Sequence, residues 1–158
     1  MKKTTLAALL LCSAGFWSAS ASARVTCNVS VGNVAFGIYD VFSGSGLAST
    51  SSFTITCERT LLIPSERNLN FNMELSGNAS TFREMSSGGH RLKYNLYANS
   101  NHTTPWGNGA YARAGALTFS LANLGPESVI YTVYGLVPGN QMVAAGVYGD
   151  TINVTVNF

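Results

Sequence analysis

The closing stretch DTINVTVNF, Asp150 to Phe158, puts Ile152, Val154, Val156 and Phe158 on one side and Thr151, Asn153, Thr155 and Asn157 on the other. Period-two alternation rich in β-branched residues predicts a strand with one buried face. The stretch ends on an apolar residue, so nothing later in this sequence pairs with the strand or covers it. The expectation is that another chain does so, which directs the search for function toward assembly rather than catalysis.

The opposite end of the chain carries an export signal. Residues 1–23 combine a charged start at Lys2 and Lys3, an apolar run from Leu6 to Trp17, and a small-residue cleavage site at Ala21, Ser22 and Ala23. The apolar run is shorter than the about 20 residues a membrane-spanning helix requires. No later stretch comes close, so the processed chain is expected not to span a membrane. Cys12 follows Leu11, where a lipoprotein cleavage site needs a small residue, and it therefore leaves with the signal. Residues 24–158 are read as one domain, large enough to bury about two thirds of its unfolded surface.

Nine Lys and Arg stand against seven Asp and Glu in the full chain. Removing Lys2 and Lys3 leaves seven of each, a net charge of zero. No basic patch survives that count, which argues against a nucleic-acid partner. Few charges also mean little electrostatic protection against association, as suits a subunit of an assembly. Cys27 and Cys57 remain after processing and pass through an oxidising compartment, so one disulfide is expected between them.

Apolar alternation recurs along the chain without a sustained helical stripe, which makes the domain all-β. Val25, Cys27, Val29 and Val31 share one face, and after Gly32 and Asn33 the phase resumes at Val34 and Phe36, the slip a bulge or a strand switch produces. Further strands are expected around Phe53, Ile55 and Cys57; Leu69, Phe71, Met73 and Leu75; Leu92, Tyr94 and Leu96; Leu117, Phe119 and Leu121; and Val129, Tyr131 and Val133. Both cysteines are in phase with the apolar residues, so the disulfide should tie the first two strands on the core side. Short strands separated by polar turns imply a sandwich or a barrel.

Chemistry-bearing constellations are scarce. His90 and His102 fall in polar turn-like stretches, and neither belongs to a two-histidine metal motif. Glu66, Glu74 and Glu84 are far apart in sequence and read as surface charges. No serine is framed as a nucleophile elbow and no glycine run has phosphate-loop spacing. No enzyme activity, cofactor or metal is expected. Four Asn-x-Ser/Thr sequons, at Asn28, Asn78, Asn101 and Asn153, follow from a composition rich in those residues. Trp106, Asn108 and Tyr111 form a candidate sugar-binding loop with Arg113 nearby; its structural counterpart is a ring packed over a turn glycine.

An ordered set of residues spans nearly the whole processed chain. It comprises Phe36, Gly37, Ile38, Tyr39 and Asp40; Arg83 and Met85; Leu92 with Tyr94, Asn95, Leu96 and Tyr97; Trp106 to Gly109; Tyr134 and Gly135; and Gly146, Tyr148 and Asp150. It resembles the spore coat protein U domain family, which includes pilins of the archaic chaperone/usher pathway. The resemblance implies an incomplete immunoglobulin-like β-sandwich lacking its last strand, completed by a donor strand from a partner. The groove would lie between the first and last strands, with Val29, Val31, Val34 and Phe36 on one wall and Ile152, Val154, Val156 and Phe158 on the other. The implied partners are a periplasmic chaperone, an outer-membrane usher and a neighbouring pilin subunit, and the implied destination is the cell surface, a pilus or the medium.

One departure from the pattern has a consequence. Pilins of this kind carry a donor segment before the first cysteine, long enough for a strand of usual length. Here only Arg24, Val25 and Thr26 separate the signal from Cys27. The chain is thus expected to accept a donor strand without offering one, which favours a tip or other terminal position, or a coat-type surface protein. A carbohydrate-binding module is the alternative from another class.

Overall fold

The computed structural model describes residues 24–158 apart from residue 78; the expected signal peptide with its Cys12, and the Asn78 sequon, lie outside the described residues. Eight strands form: β1 (Val25–Val31), β2 (Leu47–Arg59), β3 (Asn68–Leu75), β4 (Arg83–Ser87), β5 (His90–Tyr97), β6 (Arg113–Thr118), β7 (Glu127–Val137) and β8 (Val154–Asn157). They make two antiparallel sheets, ordered β1-β2-β7-β5-β4 and β6-β3-β8. The chain is an all-β, two-sheet sandwich.

Strand β2 is the spine of the larger sheet because its alternation is the longest and cleanest. Phe53, Ile55 and Cys57 are buried, whereas Ser52 and Glu58 on the other face are exposed. The opposing sheet contributes Phe71, Met73 and Leu75 from β3 and Leu117 from β6. Registers of β1 and β2 set Cys27 directly opposite Cys57, and the two are joined in a disulfide with Cα atoms 4.0 Å apart. The in-phase cysteines thus tie the first two strands on the core side, as their alternation implied.

Trp106 corrects the sequence reading. It is 0 % exposed, its indole Nε1 donates to the Met73 carbonyl at 3.1 Å, and its ring lies 5.4 Å from that of Phe53. The Arg113 guanidinium stands 5.1 Å from the same ring. A buried indole needs a partner for its N–H, and the β3 carbonyl supplies it. Rather than packing over a turn glycine or facing solvent, the ring is a core residue.

Other differences have local causes. β8 covers only Val154–Asn157 of the expected terminal strand, because β3 ends at Leu75 and carries the ladder no further. Ser76 and Asn153 close the junction instead: Ser76 N donates to the Asn153 carbonyl at 2.9 Å and Asn153 N donates to Ser76 Oγ at 2.9 Å. Phe158, expected on the buried face, is largely exposed, although its ring meets Phe71 at 5.8 Å. Strand β6 begins before the expected Leu117 and stops at Thr118; Phe119 is buried, but Leu121 is exposed. Strand β4 escaped the alternation because one of its two buried residues, Arg83, is charged.

Two predictions follow from this packing. Replacing Cys27 or Cys57 with Ala should cost about 2 to 5 kcal/mol in denaturant unfolding, and alkylation of the native protein should find neither thiol free. Trp106→Phe should cost about 0.5 to 1.5 kcal/mol by removing the indole hydrogen bond to the Met73 carbonyl, and Trp106→Ala about 3 to 5 kcal/mol. A surface ring would show neither loss.

Candidate functional site: an apolar groove between two unpaired edges

After β1 the chain leaves its sheet. Gly32 N donates to the Ser52 carbonyl at 3.0 Å, and from residue 33 to residue 39 no backbone–backbone hydrogen bond is made among the described residues. The expected strand at Val34 and Phe36 is therefore an extended segment without a ladder, since a strand requires a paired neighbour. Side chains hold it in place. Ser49 Oγ donates to the Ala35 carbonyl at 2.6 Å, and the Tyr39 hydroxyl donates to the Pro138 carbonyl at 3.1 Å while accepting from Gln141 N at 2.8 Å. Beneath, Gly135 of β7 makes room: a Cβ there would come within 2.7 Å of Phe36 and 2.9 Å of Val34.

The facing wall runs from residue 143 into β8. Gly149 and Ser86 exchange two backbone bonds at 2.9 and 3.2 Å, and β8 pairs with β3. The other edge of β8 has no ladder partner among the described residues. Each wall is thus fastened to the domain on one side and open along the other.

Two cavities lie between the walls. One, of about 270 Å³, is bounded by Val31, Val34 and Phe36 against Tyr148, Ile152 and Val154, over a floor of Phe53, Leu75, Leu96 and Val133. The other, of about 700 Å³, extends between Val34–Phe42 and Val143–Tyr148 over Leu47, Leu92 and Val137. Val34, Phe36, Met85 and Tyr148 border both, so the cavities adjoin along one groove. Its rim is apolar and wet: Ile38, Phe42 and Val147 are 93 %, 87 % and 92 % exposed.

A polar cluster stands beside the narrow part. The Tyr94 hydroxyl donates to Asp150 Oδ2 at 2.7 Å, and Thr151 N donates to Asp150 Oδ1 at 2.8 Å. Burial pushes the Tyr94 phenol well above its ordinary range, and the hydrogen bond to Asp150 and that carboxylate's charge push it further, so the group stays a protonated donor. Arg83 is buried, with Nη1 donating to the Ser76 carbonyl and Nη2 to the Trp106 carbonyl at 2.9 Å. Desolvation lowers its pKa, against which Tyr94 and Asp150 favour the charged form.

Of the eight residues expected to line the groove, Val31, Val34, Phe36, Ile152 and Val154 border it. Val29 and Val156 are half-buried against the core, and neither they nor Phe158 reach either cavity. The floor residues Met85, Leu96 and Val133 and the wall residues Tyr39, Val143 and Tyr148 were not among those expected. Alternation marked several of them as buried but not which part of the core is left uncovered, and residues 143–147 carry no periodic signal at all.

The residues of the candidate sugar loop are brought together only in part. Gly107 N donates to the Tyr111 carbonyl at 2.9 Å and Tyr111 N to the Asn108 carbonyl at 3.1 Å, so the turn closes on itself. Tyr111 and Trp106 border a separate cavity of about 330 Å³, but Asn108 does not. Among the described residues no group of three or more His, Cys, Asp or Glu side chains is placed to hold a metal, and no helix is long and apolar enough to cross a membrane.

Comparison with known proteins agrees with this geometry. The chain is similar to a chain in the crystal structure of the CsuC–CsuE chaperone–tip adhesion subunit pre-assembly complex from archaic chaperone–usher Csu pili of Acinetobacter baumannii. The TM-score is 0.54 at 22 % identity over 85 % of this chain and 40 % of that one, a likeness of fold in which this chain spans less than half the length of its counterpart. A search of curated proteins found no match. The Spore Coat Protein U domain model matches residues 14–155, nearly the whole sequence, and the chain belongs to the Spore Coat Protein U domain family.

Proposed function

We propose that this protein is an exported structural or adhesive subunit of a surface pilus assembled by a chaperone and an usher, and that its groove accepts a donated β-strand. The observation that carries the reading is the pair of open edges, residues 33–39 and β8, flanking an apolar floor. A strand laid between them gains ladder hydrogen bonds on both sides, and its alternate side chains enter the cavities. Four apolar side chains buried at about 1.5 to 3 kcal/mol each give roughly 6 to 12 kcal/mol before ordering costs. A periplasmic chaperone would supply the strand first and a neighbouring subunit later, a sequence that the family resemblance suggests and the fold accommodates. The role is non-catalytic and carried out at the cell surface.

We place the subunit at a tip or other terminal position. Supporting this, β1 is paired with β2 from Val25 onward and is pinned at Cys27, so the domain's own first strand is not free to cross a neighbour's groove. The sequence before it reads as a cleaved signal. A coat-type surface protein built on the same domain is the nearest alternative.

Val154→Asp would set an unpaired carboxylate on the half-buried wall of the groove. Periplasmic recovery should fall to background, and recovery of the parent protein should depend on co-expressed chaperone. A parent protein that is soluble and monomeric at normal yield when expressed alone would count against the open groove. The terminal placement is tested separately, by sequencing the processed N-terminus and imaging the purified protein. No fibres should form; homopolymeric fibres would overturn the placement and leave the groove intact.

A further inference from the structure

We infer that the groove selects its strand by charge as well as by shape, taking an apolar strand that is basic at the end lying beside Asp40. The inference rests on the strand-accepting reading of the groove. The side chains bordering the two cavities include two carboxylates, Asp40 and Asp150, and no lysine or arginine. Asp150 is already engaged: its two oxygens accept from Tyr94 and Thr151, and the buried Arg83 lies within electrostatic range. Asp40 differs. It is exposed at the far end of the first wall, one oxygen accepts from Phe42 N at 2.9 Å, and the other has no partner among the described residues.

Neither Arg91 nor Lys93, the basic residues of the adjoining strand β5, borders either cavity. Arg91 lies 4.0 Å from Glu84, and Lys93 faces Glu84 in the β4–β5 register and borders a depression away from the groove. The wide end of the groove therefore presents an apolar floor and rim with one uncompensated carboxylate, Asp40. An acidic residue there would be repelled and a cation attracted, and repulsion of the wrong partner discriminates as effectively as attraction of the right one.

The test grafts a strand onto the chain. A segment of about twelve alternating Val and Thr residues, at about 3.4 Å each, is fused to Phe158 through a flexible turn. Folding back beside β8, it runs toward the Asp40 end, so that its last residue comes beside that carboxylate. Segments ending in Lys and in Glu are compared by thermal unfolding in the parent chain, in Asp40→Asn and in Asp40→Lys. At low salt the Lys-ended protein should melt about 1 to 4 °C above the Glu-ended one. The gap should shrink in high salt, vanish in Asp40→Asn and reverse in Asp40→Lys. Equal melting temperatures in the parent chain, or a gap that persists in Asp40→Asn, would overturn the inference. If neither segment raises monomer recovery or melting temperature above the unfused chain, the strand-accepting reading fails and the inference fails with it.

Discussion

Backbone amides taken out of water must be paired, and two facing edges of this sandwich have no ladder partner among the described residues. Among the described residues, 33–39 make no backbone–backbone bond and β8 is paired only with β3. The side chains of both walls nonetheless pack against the core: Val34, Phe36, Ile152 and Val154 all adjoin it. Among the described residues no backbone ladder joins the two walls. Such edges template pairing with another chain, and the exposed Ile38, Phe42 and Val147 along the rim add an apolar driving force.

Several contacts hold the two walls in place. The Cys27–Cys57 disulfide anchors β1 to the spine, Gly32 binds Ser52, and Tyr39 joins the far end of the segment to Pro138 and Gln141. Gly135 lets Phe36 and Val34 sink onto β7. On the other side, the bonds of Gly149 to Ser86 and of Asn153 to Ser76 fix the approach to β8 before its ladder begins. Both walls are therefore set by contacts outside the groove.

Trp106, a candidate for binding in the sequence, serves the scaffold. Trp106 and Arg83 meet near the groove floor: the guanidinium donates to the Trp106 carbonyl while the indole donates to Met73. Asn95, buried in β5, donates to the Ala79 carbonyl at 3.1 Å and accepts from Leu96 N at 2.9 Å. Buried polar groups must be satisfied, and these tie the irregular connections around residues 76–82 and 105–112 to the sheets. Arg83 Nε, buried without a partner, marks where that satisfaction is incomplete.

Sequence by itself determined the all-β class, most of the strands and the disulfide, because period-two alternation and cysteine phase are local properties that survive without a partner. Val31, Val34, Phe36, Ile152 and Val154, which the family resemblance assigned to the two walls, border the narrower cavity. What sequence could not set were strand limits, the burial of Trp106, strand β4 and the groove floor. Each of these depends on which residues face one another across the sandwich. Asp150 to Asn153 alternate as well as Val154 to Phe158 do, yet only Val154–Asn157 becomes β-strand, since β3 ends opposite Val154. Met85, Leu96 and Val133 read as ordinary core residues; only the packing of two sheets left them as the floor of an open groove, because burial is encoded along the chain but the place where cover is missing is a relation between its distant parts.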